Sequence, residues 1–378
     1  MNFYEKLARY EHLIIFGYSE LGKFLYQNLM KKLPQINIEV CDNHPQKQGE
    51  LILGGKHINS VEEAVSNYAG GVFIPTSLHH SDAMCNQLNA LGVPNENIFQ
   101  DRSMIAAETE RLKNLRCTPR TRLSFEVDVV RHCNLNCKGC LRFSPLVKRA
   151  DFLDVFSYKK DIQRLSSVFG GDADHIYLLG GEPLLNPNIV EYLRITRDGF
   201  PECTLSILTN GTLIERMGEN FWNACRINNV VIRLTQYPLG INYNAIFKKI
   251  QNSGIEVEST FSLVETCEMF YCWPFDFSGQ QNIEENFADC LAANSCTVLR
   301  NGKLYPCGII ANIDLFNDFF SSEMMPCEED SIDIYSEKTK DDILKFLSKA
   351  VPFCRYCDVK GRHDVKWEIS RKDIHEWS

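Results

Sequence analysis

A chain of 378 residues is long enough for two or three domains with substantial hydrophobic cores. Its net charge of -9 and its lack of basic runs argue against nucleic acid or an anionic membrane as a partner. No apolar stretch approaches the roughly 18 residues that cross a bilayer, and the first residues lack the form of a signal peptide, so we expect a cytoplasmic protein. Sixteen cysteines in that compartment indicate metal or redox chemistry rather than disulfides.

Residues 1–102 have the pattern of a separate α/β domain. Short apolar strands are predicted at 13–16, 36–41 and 71–75. The turn from Gly17 to Gly22, with Asp42 twenty residues further on, resembles the start of a Rossmann unit, where a helix N-terminus holds phosphate. Ser19 replaces the middle glycine of that motif, which argues against close approach of a pyrophosphate. Nucleotide binding and a docking or scaffolding role therefore both stay open for this domain.

Residues 103–121 form the predicted link to the next domain. The stretch 101–116 contains no proline and is typical of a helix, whereas the following 117–122 is basic and contains proline. We therefore expect a helical connector at 103–121.

From residue 122 onward the chain alternates short apolar strands with helix-like segments. The strands are predicted at 123–129, 175–179, 204–208, 230–234 and 255–259. Because strands that alternate with helices form a parallel sheet with right-handed crossovers, residues 122–285 are expected to fold as an α/β domain. Ligands of such sheets gather at the carboxyl ends of the strands.

The loop after the first of these strands carries Cys133, Cys137 and Cys140. Three thiolates can hold one small metal cluster and leave one metal position without a protein ligand, which is what chemistry at a metal requires. The C-x3-C-x2-C spacing resembles the radical S-adenosylmethionine (SAM) superfamily, whose fold is a partial (β/α) barrel. The resemblance implies a [4Fe–4S] cluster on these cysteines, with SAM on the fourth iron and a 5′-deoxyadenosyl radical as the product of its reductive cleavage. A chance group of cysteines, or part of a zinc site, is the alternative.

Three later strand ends carry residues that recur in the same superfamily. These are Gly180, Gly181, Glu182 and Pro183 after the second strand, Asn210 after the third, and Thr235 and Gln236 after the fourth. Two glycines let the backbone approach a ligand, and a carboxylate beside them can accept charge-assisted hydrogen bonds from the ammonium group of SAM. The resemblance assigns these residues to cofactor binding. Gly139 departs from the family pattern of an aromatic residue that contacts adenine. Either Leu141 or Phe143 supplies that contact instead, or the adenine is bound less tightly.

The last predicted domain, 286–378, contains a second set of cysteines: Cys290, Cys296, Cys307, Cys354 and Cys357. Their spacing resembles the twitch domain of radical SAM enzymes, a shortened SPASM domain that holds one auxiliary cluster through four cysteines. Family spacing favours Cys290 as the first ligand. A hairpin that turns on Asn301-Gly302 favours Cys296 instead, because it places Cys296 across from Cys307. A Cys₄ site can also hold zinc, but we favour a second [4Fe–4S] cluster.

The resemblance implies an enzyme that abstracts a hydrogen atom from its substrate and receives electrons from a donor such as flavodoxin or ferredoxin. Radical dehydrogenases with a single auxiliary cluster oxidise an aminocyclitol alcohol, and half-Rossmann units occur beside sugar-modifying enzymes. A small molecule, either a carbohydrate or a nucleotide-linked sugar, is therefore the favoured substrate.

Two alternatives stay open. One is a radical SAM peptide maturase, and the other is a non-catalytic Cys₄ zinc protein with a nucleotide-sensing Rossmann-like unit. The sequence identifies no catalytic base, since its histidines are scattered and His79-His80 is more typical of a surface loop than of a metal site.

Overall fold

The computed structural model describes residues 3–45, 47–68, 70–77, 81–259, 269–290, 292–293 and 295–378, so His79 and His80 lie outside the described part. Its helices and strands in chain order are α1 (Phe3–Leu7), β1 (His12–Phe16), α2 (Glu20–Lys32), β2 (Asn37–Cys41), β3 (Leu51–Ile52), β4 (Lys56–His57), α3 (Val61–Asn67), β5 (Val72–Pro75), α4 (Ser81–Ala90), α5 (Arg102–Arg116), β6 (Leu123–Val130), α6 (Val155–Phe169), β7 (Ala173–Gly180), α7 (Ile189–Gly199), β8 (Thr204–Thr209), α8 (Glu219–Ile227), β9 (Val230–Leu234), α9 (Tyr243–Asn252), β10 (Glu256–Ser259), β11 (Met269–Cys272), α10 (Ile283–Asp289), β12 (Val298–Arg300), β13 (Lys303–Tyr305), α11 (Gly308–Phe320), β14 (Ile332–Asp333), α12 (Lys340–Leu347) and β15 (His363–Lys366). The described residues divide into two compact units, one up to Leu115 and one from Arg116 onward.

The first unit contains a parallel three-stranded sheet in the order β2-β1-β5, built from the three strands expected there. Asp42 lies just after β2, and its carboxylate accepts hydrogen bonds from the Tyr18 amide (2.6 Å) and from Lys47 Nζ (3.0 Å). The hydroxyl of Thr76 lies 2.6 Å from the carbonyl of Gly17. Groups of the protein therefore already bind the carboxylate that a Rossmann unit offers to ribose, and nucleotide binding here stays a prediction.

The second unit is built on an eight-stranded sheet in the order β10-β9-β8-β7-β6-β12-β13-β14. All neighbouring pairs from β10 to β12 are parallel, whereas β13 and β14 are antiparallel to their neighbours. The expected α/β fold with a parallel sheet is therefore confirmed. The predicted boundary at residue 285 falls inside this architecture, because β12 to β14 extend the sheet of the preceding strands.

The two faces of this sheet differ in polarity because successive side chains of a strand point to opposite sides. On β6, Phe125 and Val127 pack into a large apolar core with helices α6 to α9 and α12. Glu126 and Asp128 alternate with them and lie on the opposite side. We call that side the polar face; its polar residues on the parallel strands include Glu126, Asp128, His175, Tyr177, Ser206, Arg233 and Glu258.

Within the part of the chain that the structure describes, no helix combines the length and the apolar composition needed to span a membrane.

Candidate active site

The loop that follows β6 brings Cys133, Cys137 and Cys140 together at the carboxyl end of the sheet, with all three thiols partly buried. The Leu135 amide donates a hydrogen bond to Cys133 Sγ (3.3 Å). The indole Nε1 of Trp367 donates one to Cys137 Sγ (3.2 Å). Burial raises the pKa of Cys133 and also that of Cys137, to about 11, and the neighbouring cysteines add to both shifts. The three thiols are thus close enough for their charges to interact.

Gly180 and Gly181 allow the end of β7 to pack closely against the start of this loop. The Gly181 amide donates a hydrogen bond to the Val130 carbonyl (2.8 Å). A Cβ atom on Gly180 would collide with that same carbonyl, and one on Gly181 would collide with the carbonyl of His132. Only glycine fits such close backbone packing. The sequence analysis assigned these two glycines to close contact with a ligand. In the structure, they make close contact with the backbone that leads into the cysteine loop.

Glu182 is fully buried, and its carboxylate joins the ends of two strands. It accepts hydrogen bonds from the Thr209 hydroxyl (2.7 Å), the Asn210 amide (2.9 Å) and the Leu184 amide (3.1 Å). Burial raises the pKa of Glu182 to about 7, although these hydrogen bonds oppose the shift. Its contact with a SAM ammonium group stays a prediction, and in the described structure this carboxylate holds β7 to the end of β8.

Asn210 extends that connection to the cysteine loop. Its side-chain amide donates a hydrogen bond to Asn134 Oδ1 (2.9 Å), next to Cys133 in the chain. The Thr235 amide donates to the Thr209 carbonyl (2.9 Å), which aligns the ends of β8 and β9. Pro183 and Gln236 are buried in the same strand ends. All the residues predicted to bind the cofactor therefore lie at the carboxyl edge that also carries the cysteine loop.

The second group of thiols lines one apolar cavity. Its walls include the four cysteines Cys290, Cys307, Cys354 and Cys357 together with apolar side chains such as those of Phe287, Ile310 and Phe353. Three of the cysteines stand at the ends of helices: Cys290 caps α10, Cys307 precedes α11, and Cys357 caps the 3₁₀ turn Pro352–Tyr356, which contains Cys354. Burial raises the pKa of Cys307 and of Cys354 to about 12, and neighbouring cysteines contribute to both shifts.

Asn286 holds the Cys354-x-x-Cys357 turn in place. Its side-chain amide donates hydrogen bonds to the carbonyls of Cys354 (2.9 Å) and Cys357. Because Asn286 lies on α10, which ends at Cys290, one helix positions three of the four thiols.

Cys296 does not line this cavity, although its thiol lies close enough to Cys307 for the charges to interact. It also forms a hydrogen bond with Glu126 and lies near Arg142. The predicted hairpin is present, and its register pairs Arg300 with Lys303 and Leu299 with Leu304, but pairing stops at Val298 and Tyr305. The strand end is bound to β6 instead, because the Glu126 amide donates a hydrogen bond to the Thr297 carbonyl (2.7 Å). The expected cross-strand pair of Cys296 and Cys307 is therefore not formed.

Arg142 is a site residue that the sequence analysis missed. Its guanidinium pairs with the buried carboxylates of Glu126 and Asp128 (3.1 Å to Asp128). A Cβ atom on Gly308, which follows Cys307, would lie 2.6 Å from Arg142 Nη1. Arg142 follows Cys140 by two residues, so one buried cation contacts elements of both cysteine groups. No sequence signal marked it, because its partners are distant in the chain.

Two aromatic residues also depart from expectation. Phe143, one candidate for an adenine contact, is fully buried in an apolar cluster with Phe316 and Trp377 and is not available for that contact. Tyr237, which follows Gln236, forms a hydrogen bond with the Cys137 thiol that lowers the pKa of that thiol. The position of Tyr237 shortly after the end of β9, next to Gln236, is the sequence feature that could have identified it as a site residue.

The residues present fit iron–sulfur clusters at both sites. The first site offers three grouped thiols, and the sulfurs of two of them, Cys133 and Cys137, accept hydrogen bonds as thiolates do. The second site offers four thiols in an apolar cavity. Metal binding must displace the protons that burial retains on these thiols. Among the described residues, no group of three or more His, Cys, Asp or Glu side chains has the arrangement of a single-ion site.

Comparison with known proteins gives a family for the region that carries the first site. Residues 127–238 match the model of the Radical SAM superfamily. Curated relatives include molybdenum cofactor biosynthesis protein 1 of Bos taurus, 32% identical over 96 residues, and GTP 3′,8-cyclase of Chlorobaculum tepidum, 37% identical over 90 residues. Those alignments cover 25% and 24% of this chain but only 14% and 26% of the two relatives.

A solved structure, that of BtrN in complex with AdoMet and 2-DOIA, is also similar. It is 19% identical with a TM-score of 0.42, over 64% of this chain and 94% of that one.

Proposed function

From the premise that residues 127–238 form a radical SAM domain, we propose that this protein is a radical SAM enzyme that oxidises or otherwise modifies a small polar substrate, preferably a carbohydrate or a nucleotide-linked sugar. The observation that carries the proposal is the family match across the sheet whose carboxyl edge holds Cys133, Cys137 and Cys140. When bound, the cluster and SAM supply a 5′-deoxyadenosyl radical that abstracts hydrogen.

The chain's own part in this chemistry begins with three thiols and an open fourth position. Cys133, Cys137 and Cys140 would hold the cluster, since three protein ligands leave one iron for the cofactor. Glu182 and Asn210 order the strand ends beside the loop through buried hydrogen bonds. A rigid edge of this kind holds the reacting groups in a fixed geometry, which lowers the entropic part of the activation barrier.

The polar face supports a hydroxyl-rich or phosphate-bearing substrate. Arg233 lies on β9, two residues before Thr235, which directly follows that strand at the proposed cofactor edge. Its guanidinium lies over the ring of Tyr177 (5.2 Å) and 2.8 Å from Glu258, and it is 31% exposed. His175 stacks on Tyr177 (4.0 Å between ring centroids) and pairs with Ser206 (2.8 Å). These donors and acceptors suit hydroxyl and phosphate groups better than an apolar peptide side chain.

The four-cysteine cavity supports an auxiliary [4Fe–4S] cluster held by Cys290, Cys307, Cys354 and Cys357. Such a cluster would accept the electron left on the substrate after hydrogen abstraction, and the net reaction would then be an oxidation. The apolar lining and the partial burial of the four cysteines are consistent with a closed Cys₄ site.

Anaerobic reconstitution with iron and sulfide, followed by an assay for 5′-deoxyadenosine with SAM and reductant, tests this function. The wild type should release 5′-deoxyadenosine, and the Cys133→Ala, Cys137→Ala, Cys140→Ala triple variant should not. The matched control replaces Cys203 and Cys225, buried cysteines of the apolar core, with alanine. Release of 5′-deoxyadenosine by the triple variant would contradict the proposal.

A further inference from the structure

Residues 367–377 contact the cysteine loop, and we call them the C-terminal segment. The Lys138 amide donates a hydrogen bond to the Glu368 carbonyl (2.9 Å), and the Ser370 amide donates one to the Asn136 carbonyl (2.6 Å). The indole of Trp377 donates to the Cys140 carbonyl (3.1 Å). The loop between the first and third cysteines is thus held by backbone and side-chain bonds from a segment more than two hundred residues away.

Trp367 makes a different contact from the rest of this segment, because its partner is a sulfur atom. Its Nε1 donates to Cys137 Sγ at 3.2 Å, and Tyr237 also hydrogen-bonds that thiol. The backbone positions Trp367 firmly, since it directly follows β15, which pairs with β11, and precedes the bridge between Cys137 and Ile369. The indole N–H is only a donor and does not titrate, so the sulfur always meets the same partner.

We propose that Trp367 is a positioning residue that raises the reduction potential of the cluster on Cys133, Cys137 and Cys140, an inference that rests on the proposed function. A hydrogen bond to a ligating sulfur stabilises the more negatively charged, reduced state of an iron–sulfur cluster. Removing the N–H therefore makes the cluster harder to reduce. Trp367 is then part of the cluster site, although it lies outside the region of the family match.

The experiment compares Trp367→Phe with Trp377→Phe in the full-length, anaerobically reconstituted protein. Both variants lose an indole N–H that contacts the cysteine loop, but only Trp367 donates to sulfur. The readout is the midpoint potential of the cluster, from a redox titration followed by electron paramagnetic resonance.

At a fixed solution potential, Trp367→Phe is expected to lower the ratio of reduced to oxidised cluster about tenfold. This corresponds to a midpoint potential lower by about 59 mV for one electron, with the iron content retained. Trp377→Phe should leave the potential at the wild-type value, and Trp367→His, which keeps a ring N–H, should restore part of the shift.

A Trp367→Phe cluster with the wild-type potential would overturn this inference alone. A wild-type protein that assembles no cluster on these cysteines would overturn the proposed function as well. A second measurement needs no variant: in wild-type protein with isotope-labelled indole nitrogen, electron–nuclear double resonance on the reduced cluster should detect a tryptophan nitrogen coupled to its spin. The absence of that coupling would overturn the inference even if the variants failed to fold.

Discussion

The two cysteine groups are assembled in opposite ways. Cys133, Cys137 and Cys140 lie on one loop, so a short stretch of chain after β6 supplies all three thiols. Cys290, Cys307, Cys354 and Cys357 come from three separate places in the chain and meet only because α10, α11 and a 3₁₀ turn surround one cavity. The first group depends on local spacing and the second on tertiary packing. We therefore expect the two groups to respond differently to substitution.

The largest expected effect is the loss of the second cluster alone. Cys354→Ala combined with Cys357→Ala should lower the iron content from about eight to about four per chain, because a Cys₄ cluster loses half its ligands. Cleavage of SAM should persist, since the first loop is intact, while substrate oxidation should stop. Iron counting with parallel assays of 5′-deoxyadenosine and product measures this. The control is Cys133→Ala, which should abolish cleavage, and a wild type with about four irons and one zinc would contradict a second cluster.

The next largest effect concerns whether Cys290 or Cys296 binds the second cluster. Cys290→Ala should cost the second cluster, because Cys290 lines the cavity, whereas Cys296→Ala should retain it, because Cys296 is not part of that lining and its thiol hydrogen-bonds Glu126. Iron content after reconstitution separates the two variants, and each serves as the control for the other. Loss of about four irons in Cys296→Ala alone would show that the ligand set differs from the cavity lining.

Arg142 tests whether the two groups are independent. Arg142→Met leaves the buried carboxylates of Glu126 and Asp128 without their cation, which typically costs about 3–5 kcal/mol. Because Arg142 contacts elements of both groups, iron should fall at both sites. The midpoint of thermal unfolding and the iron content measure this.

The matched control for that variant is Arg131→Met, since Arg131 pairs with the more exposed Asp151 and Asp314. Equal effects of the two substitutions would contradict a special role for Arg142.

A smaller effect is expected at Glu182. Glu182→Gln replaces one acceptor oxygen by a donor that faces Thr209 or Asn210, and such a mismatch costs about 1–3 kcal/mol. We expect weaker SAM binding with the first cluster retained, measured by anaerobic equilibrium dialysis and iron counting. Glu191→Gln, a surface change on α7, is the control. Wild-type affinity in Glu182→Gln would remove Glu182 from the cofactor site.

The smallest effect concerns the polar face rather than either cysteine group. Burial and the charge of Arg233 lower the pKa of His175 to about 4. As the pH falls from about 6.5 to about 4, the unfolded chain binds a proton that the folded chain does not, so the free energy of unfolding decreases in that window. His175→Phe keeps an aromatic ring stacked on Tyr177 and removes the titrating imidazole, so this decrease in the free energy of unfolding should disappear.

Thermal midpoints at about pH 7.5 and about pH 5.5 should therefore differ less in His175→Phe than in the wild type. His57→Phe, at an exposed position of the other unit, is the control. An equal difference in His175→Phe and the wild type would contradict the prediction.

The strands of the second unit show which parts of the sheet can be predicted from the residue pattern of the sequence. Short apolar segments separated by helix-like stretches predict strands β6 to β10, and each of these strands is present. The extension of the sheet by β12 to β14 was not foreseen, because the pairing of β6 with β12 joins residues far apart in the chain. That pairing is accompanied by a hydrogen bond from the Glu126 amide to the Thr297 carbonyl, so the strand end is bonded to β6 and not across to the strand that carries Cys307.

The sequence by itself determined the three-thiol loop, the parallel α/β sheet and the identity of the strand ends, because each depends on spacing within a short stretch. Tertiary structure alone decided which cysteines share the second cavity, that Arg142 lies between the two groups, and that Trp367 donates to Cys137. Those contacts join residues that are distant in the chain, and their formation depends on the packing of whole elements, which no local pattern of residues encodes.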